Sequence, residues 1–99
     1  MKKMIPVLLG LSLAFPVMAS EELAKAKNCN TCHGLAKKIV GPGYKEIALK
    51  RAGEKGVETA LAAKIKHGSK DEWGKVPMPA NAVTDEEALV LAKWVLSFK

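Results

Sequence analysis

Aromatic residues are scarce in this chain, with two Trp, two Phe and one Tyr among 99 residues. Cysteine is scarcer still: Cys29 and Cys32 are the whole complement, so no disulfide network can brace a domain this small. There is no internal repeat, no low-complexity stretch and no strand-like alternation of apolar and polar residues, which excludes repeat arrays and β-rich folds. The length allows one compact core and no second domain. With few aromatics and no staples, something other than side chains must supply core, and a large, flat, apolar cofactor would do so.

Long apolar runs are missing except at the start. Lys2 and Lys3 precede an apolar run from Met4 to Phe15, and Val17-Met18-Ala19 forms a small-residue cleavage site. Pro6 and Gly10 interrupt the run, which falls short of the roughly 20 residues that cross a bilayer. The segment therefore reads as an export signal over residues 1–19, removed after Ala19, with one domain over 20–99 and no stable membrane insertion.

The chain carries 16 Lys and Arg against 10 Asp and Glu. Loss of Lys2 and Lys3 leaves 14 against 10, a formal +4 before any cofactor carboxylates are counted. Basic and acidic residues are interspersed, as in Glu54 beside Lys55 and Lys70 beside Asp71. No continuous stripe for a phosphate backbone exists, so nucleic acid is excluded as a partner.

The remaining pattern is helical. Ser20-Glu21-Glu22-Leu23 offers a capping hydroxyl and two acids, predicting a first helix from Ser20 to about Asn28. Tyr44, Ile47, Ala48 and Arg51 predict a second that ends at the turn Gly53 to Gly56. Val57, Leu61 and Ile65 predict a third, closed by Gly68 as a left-handed carboxyl cap. From Ser69 to Val83 the chain is broken by Gly74, Pro77 and Pro79 and reads as a loop. Thr84-Asp85-Glu86-Glu87 is a capping box before an apolar run to Phe98, and that last helix is apolar on most sides. The fold class is all-α, with a few short helices.

One run carries chemistry. Cys29-Asn30-Thr31-Cys32-His33 sets two thiols three residues apart with an imidazole directly after, the pattern of covalent haem attachment. Thiols at this spacing reach the two vinyl groups of one porphyrin, and His33 is delivered to the iron from one face. Three other uses of such residues compete. A thioredoxin-like redox pair belongs beside a βαβ unit. A structural zinc site needs four ligands, and only Cys29, Cys32, His33 and the distant His67 are available. An exported disulfide leaves His33 and the missing core unexplained.

The second axial position separates carrier from enzyme, because an open face admits small molecules whereas two protein ligands leave only electron transfer. Met78 is the one methionine of residues 20–99, and Pro77 and Pro79 restrict the backbone around it. It is the favoured sixth ligand; filling a core gap is the commoner fate of methionine. His67, beside Lys66 at the end of the third helix, is the rival ligand.

These residues, with Val40-Gly41-Pro42, Ile65-Lys66-His67-Gly68-Ser69, Trp73-Gly74, Val76-Pro77-Met78-Pro79, Asn81 and Leu91 to Ser97, extend the pattern over the whole of 20–99. In them the chain resembles the small bacterial class I c-type cytochromes of the cytochrome c-551 type, periplasmic carriers associated with nitrite reductase. The resemblance implies four or five short helices around one covalent haem c, the first and last crossing. It makes His33 and Met78 the axial ligands to the metal. It also implies that the Pro42 carbonyl orients His33, that Trp73 and Lys64 face a haem propionate, and that Asn81 steadies the Met78 loop. Two positions depart from it, since many relatives carry an aromatic where Ala24 and Arg51 stand, and a looser core is expected there.

The function implied is carriage of single electrons in the periplasm, not catalysis. The protein would be a monomer that takes electrons from an upstream quinol-oxidising complex and passes them to nitrite reductase or another terminal reductase or oxidase. Lys37, Lys38, Lys70 and Lys75 would rim an exposed haem edge for docking. The contrasting reading is a haem peroxidase or gas sensor, which requires that Met78 not bind.

Overall fold

Five helices form among the described residues of the computed structural model, which are 17–72 and 74–98. They are α1 (Val17–Ala26), α2 (Cys29–Cys32), α3 (Tyr44–Lys50), α4 (Val57–His67) and α5 (Asp85–Leu96). No strand occurs among these residues, only two isolated antiparallel bridges, His33 with Lys38 and Ser69 with Met78. The all-α expectation holds.

α5 follows most directly from its sequence. The Thr84 hydroxyl accepts from the Glu87 amide at 3.0 Å while the Glu87 carboxylate accepts from the Thr84 amide at 2.9 Å, so two donors at the helix start are satisfied reciprocally. Three acids in the first turn complement the dipole. Ala88, Leu91, Ala92, Trp94 and Val95 are buried, and the helix packs against α1, α3 and α4. Tyr44 of α3 completes the core: its ring lies 4.9 Å from Trp94 edge-on and 5.4 Å from Phe98 in a stack. Cutting Leu91 to Ala would cost about 2–5 kcal/mol.

Two boundaries differ from expectation. α1 already includes Val17, Met18 and Ala19 rather than starting at Ser20, and Ser20 is buried within the helix. Nothing in Val17-Met18-Ala19 breaks a helix, so in the unprocessed chain the turn propagates backwards through it. The same helix stops at Ala26, because Asn28 takes φ +65°, a region that Asn tolerates better than most residues. Gly68 does end α4, but with φ +87° and ψ 172° it is not the left-handed cap that was expected. The extended ψ turns the chain directly into the Ser69–Met78 bridge. The segment from Ser69 to Val83 is non-helical throughout its described residues.

Candidate functional site

The residues of the Cys-His run sit where α2 gives way to a tight return. His33 leaves the helix in extended backbone, and its amide still donates to Cys29 O at 3.0 Å. The amides of Val40 and Gly41 both donate to Cys32 O, at 3.0 and 2.8 Å, which folds Pro42 over the imidazole. His33 Nδ1 lies 2.7 Å from the Pro42 carbonyl. Nδ1 must then carry the proton, leaving Nε2 with a free lone pair, the form in which imidazole binds a metal.

Close packing fixes the ring further. A Cβ on Gly41 would fall 2.7 Å from His33 Cε1, so only glycine lets the strap lie this near. On its other side the imidazole stacks with Tyr44 at 5.6 Å, and the Tyr44 hydroxyl donates to Asn30 Oδ1 at 2.6 Å. Burial, and secondarily Cys29, raises the Tyr44 phenol well above its ordinary value, so it stays a donor. Burial also pushes the Cys29 thiol up. Both cysteines are free thiols.

Met78 approaches from the opposite segment. Its amide donates to Ser69 O at 2.8 Å and its carbonyl accepts from Ser69 N at 3.0 Å. Gly68 makes the bridge possible, since a Cβ there would meet Met78 O at 2.6 Å. The Asn81 amide donates to Ile65 O at 2.8 Å and to Pro79 O at 3.4 Å, tying the far side of the loop to α4.

Between the two segments lies an apolar-walled cleft with about 1190 Å³ of empty space, part of it open to solvent. Cys29, Cys32, His33, Pro42, Lys64 and Met78 all line it. Asn81 and His67 do not; His67 is exposed at the end of α4. Trp73 lies outside the described residues.

The cleft fits a haem. It offers two free thiols, an imidazole with Nε2 available and a thioether, set in apolar walls that include Ala24, Ile47, Leu61, Ile65, Leu91 and Val95. It does not fit the competing uses. Among the described residues no three of His, Cys, Asp and Glu are grouped to hold a metal ion, as zinc would need, and no β unit accompanies the thiols.

Two further wall residues were not foreseen. Glu72 accepts from Lys64 Nζ at 2.7 Å and from Arg51 Nη2, while Arg51 Nη1 also reaches Glu54 at 3.1 Å. Lys64 and Arg51 hold the Glu72 carboxyl below the usual carboxylate range. Where an aromatic was expected, Arg51 thus contributes an ion pair; Ala24 is fully buried. No sequence signal sets Glu72 apart, since Lys70, Asp71 and Lys75 are charges in the same loop.

A small helical domain that presents Cys, Cys, His and Met on one apolar cleft is a class I cytochrome in architecture. The chain belongs to the cytochrome c family, which it matches over residues 17–99. It is 56% identical over 79 residues to cytochrome c-551 of Pseudomonas aeruginosa, covering 80% of this chain and 76% of that one. It is 50% identical to cytochrome c-552 of Hydrogenobacter thermophilus over the full length of both. Among solved structures it resembles wild-type cytochrome c552 of Nitrosomonas europaea, with a TM-score of 0.77 and 48% identity over 80% of this chain and 99% of that one. Family membership implies haem c as cofactor and electron carriage rather than catalysis as the activity.

Proposed function

We propose that this protein is a periplasmic monohaem electron carrier of a respiratory chain that delivers electrons to nitrite reductase or another terminal reductase or oxidase. Cys29 and Cys32 would hold the haem through thioether bonds, and His33 Nε2 and Met78 Sδ would ligate its iron. When bound, the haem supplies a one-electron ferric/ferrous couple. The observation that carries this reading is that the two predicted ligands, 45 positions apart in sequence, line one cleft with both thiols.

The chain's own residues do the rest. Pro42 keeps the His33 ring oriented and its Nε2 basic, and the Ser69–Met78 bridge holds the thioether side. A soft thioether favours ferrous iron and so a high potential. Apolar walls exclude water. Trp73 and Lys64 are assigned to a haem propionate on the family resemblance alone.

Export rests on residues 1–19, of which 1–16 lie outside the described residues. Cleavage after Ala19 would make Ser20 the new start of α1, free to cap it. No helix among the described residues is long and apolar enough to cross a membrane. Docking is supported by exposed Leu35, Ile39, Val40 and Val76, the last two on the cleft, close in sequence to Lys37, Lys38, Lys70 and Lys75. A redox protein with an acidic rim suits this surface, and reaction rates with such a partner should fall as salt rises.

The test is an intact mass and an absorption spectrum of the periplasmic protein. The mass should equal residues 20–99 plus one haem, and the ferrous spectrum should not change under carbon monoxide. Ready carbon monoxide binding would favour the peroxidase or sensor reading, and retention of Lys2 on the haem-loaded protein would refute processing.

A further inference from the structure

Among the charged residues that line the cleft, Lys38, Lys70, Asp71 and Lys75 are exposed, where water and salt screen them. Arg51, Lys64 and Glu72 are different. Their side chains are 12%, 34% and 22% exposed, and they come from three elements: the end of α3, the last turn of α4 and the loop that carries Met78. Glu72 takes Arg51 on Oε2 and Lys64 on Oε1. The pairs Lys66–Asp85 and Lys27–Glu87 stand away from the cleft. Arg51 and Glu72 have the least exposed side chains of the ion pairs described, and both stand, with their partner Lys64, on the wall of the cofactor site.

We propose that the Arg51–Glu72–Lys64 bridge sets the reduction potential of the haem held in this cleft, with Glu72 as the positioning residue that fixes both cations on the wall and offsets their charge. The proposal rests on the haem reading above. Its physical basis is Coulombic. Ferrous haem carries one positive charge fewer than ferric, so each nearby cation favours the reduced state and each anion the oxidised one, more strongly where water is excluded. Arg51 is permanently charged, and Glu72, paired with two cations, is ionised at neutral pH. The three residues thus present a net single positive charge, and removing any one of them changes it by a full unit in a known direction. A bridge that served packing alone would predict no such sign.

The experiment is an optical redox titration at pH 7 and low ionic strength on the purified haem protein, its covalent haem first checked by mass. At the applied potential where the parent is half reduced, Glu72→Gln should raise the ferrous to ferric ratio about threefold or more, and Arg51→Gln should lower it comparably. Arg51→Lys should stay at the parental ratio, and the Arg51→Gln, Glu72→Gln double variant should return toward it. Unshifted potentials, or shifts of the same sign in both single variants, would overturn the proposal. If Arg51→Gln does not fold, Glu72→Gln decides alone, since only a rise in the ratio supports the idea. A parent protein without covalent haem would overturn the haem reading itself, a different result from haem present with potentials unmoved.

Discussion

The two sides of the cleft are built by different means. On the His33 side the chain is fastened by backbone: Cys32 O accepts two amides, Gly34 O accepts from Tyr44 N at 2.9 Å and Leu35 O from Lys45 N at 2.9 Å. Tyr44 then joins that strap to Trp94 and Phe98, so the imidazole is continuous with the main core. On the Met78 side, among the described residues, there is one reciprocal backbone bridge, one asparagine and an ion-paired glutamate, while Val76, Pro77 and Pro79 face solvent. The lesson is that damage on the first side should spread to the whole fold, whereas damage on the second should free the ligand and leave the fold standing.

Met78→Ala tests that contrast at its strongest. On the proposed reading covalent attachment needs only Cys29, Cys32 and His33, so the haem should remain attached and the protein folded. One face of the iron should open to water or carbon monoxide, and the reduction potential should fall with loss of the thioether. His67→Ala should do neither, because His67 is exposed and outside the cleft. Carbon monoxide titration of the two ferrous variants checks this. An opened site in His67→Ala, or none in Met78→Ala, would reverse the ligand assignment.

Paired glycine substitutions sharpen it. Gly41→Ala presses a methyl against the His33 ring, and overpacking of this kind costs about 1–3 kcal/mol. That loss should register in global urea unfolding, with the Met78 face still closed to carbon monoxide. Gly68→Ala adds a Cβ close to Met78 O at φ +87°, a strain of about 1–3 kcal/mol by the same scale of effect. Its cost should be met by releasing the bridge, so carbon monoxide should enter at a smaller loss of global stability. Asn81→Ala should act in the same direction more weakly, by about 1 kcal/mol, since one good hydrogen bond is lost. Equal global losses at Gly41 and Gly68 would erase the distinction between the two sides.

Much of this organisation was legible in the sequence, and unevenly. The haem run, the α5 capping box and the Pro-flanked Met78 are local patterns with a short-range physical cause, and they place the helix and the two cleft segments correctly. What was missed depends on residues far apart. Gly41 reads only as a chain interruption until His33 is seen against it, and Gly68 reads as a helix cap until Met78 O is found where its Cβ would be. Arg51 reads as a lost aromatic because its partners, Glu54 and Glu72, lie 3 and 21 positions away in two different segments. Ser20 lies inside α1 in the unprocessed chain because a good capping residue marks a helix end only where the preceding residues are absent or cannot themselves be helical.

The smallest expected effect is on acid stability, and it also separates the two sides. Lys64 and Arg51 hold the Glu72 carboxyl below its ordinary value of 4.5. The unfolded chain therefore binds this proton more readily than the folded one. The stabilisation is fully present above the ordinary value and is lost as pH falls through the lower folded value. Lys66 does the same for Asp85, but Asp85 is at the surface, where water screens most of the benefit. Glu72 is partly enclosed and bridges the Met78 loop to α3 and α4, so its protonation should loosen that loop before the His33 side responds. Below pH 4.5, carbon monoxide access to the ferrous protein should rise while the near-ultraviolet signal of Tyr44 and Trp94 stays native. Glu72→Gln should show a small rise in access already at pH 7, with Met78 still the ligand in nearly all molecules, and little further change as pH falls through this range. Simultaneous loss of both signals in the parent protein would mean that the two sides unfold as one unit and that Glu72 does not govern the Met78 loop.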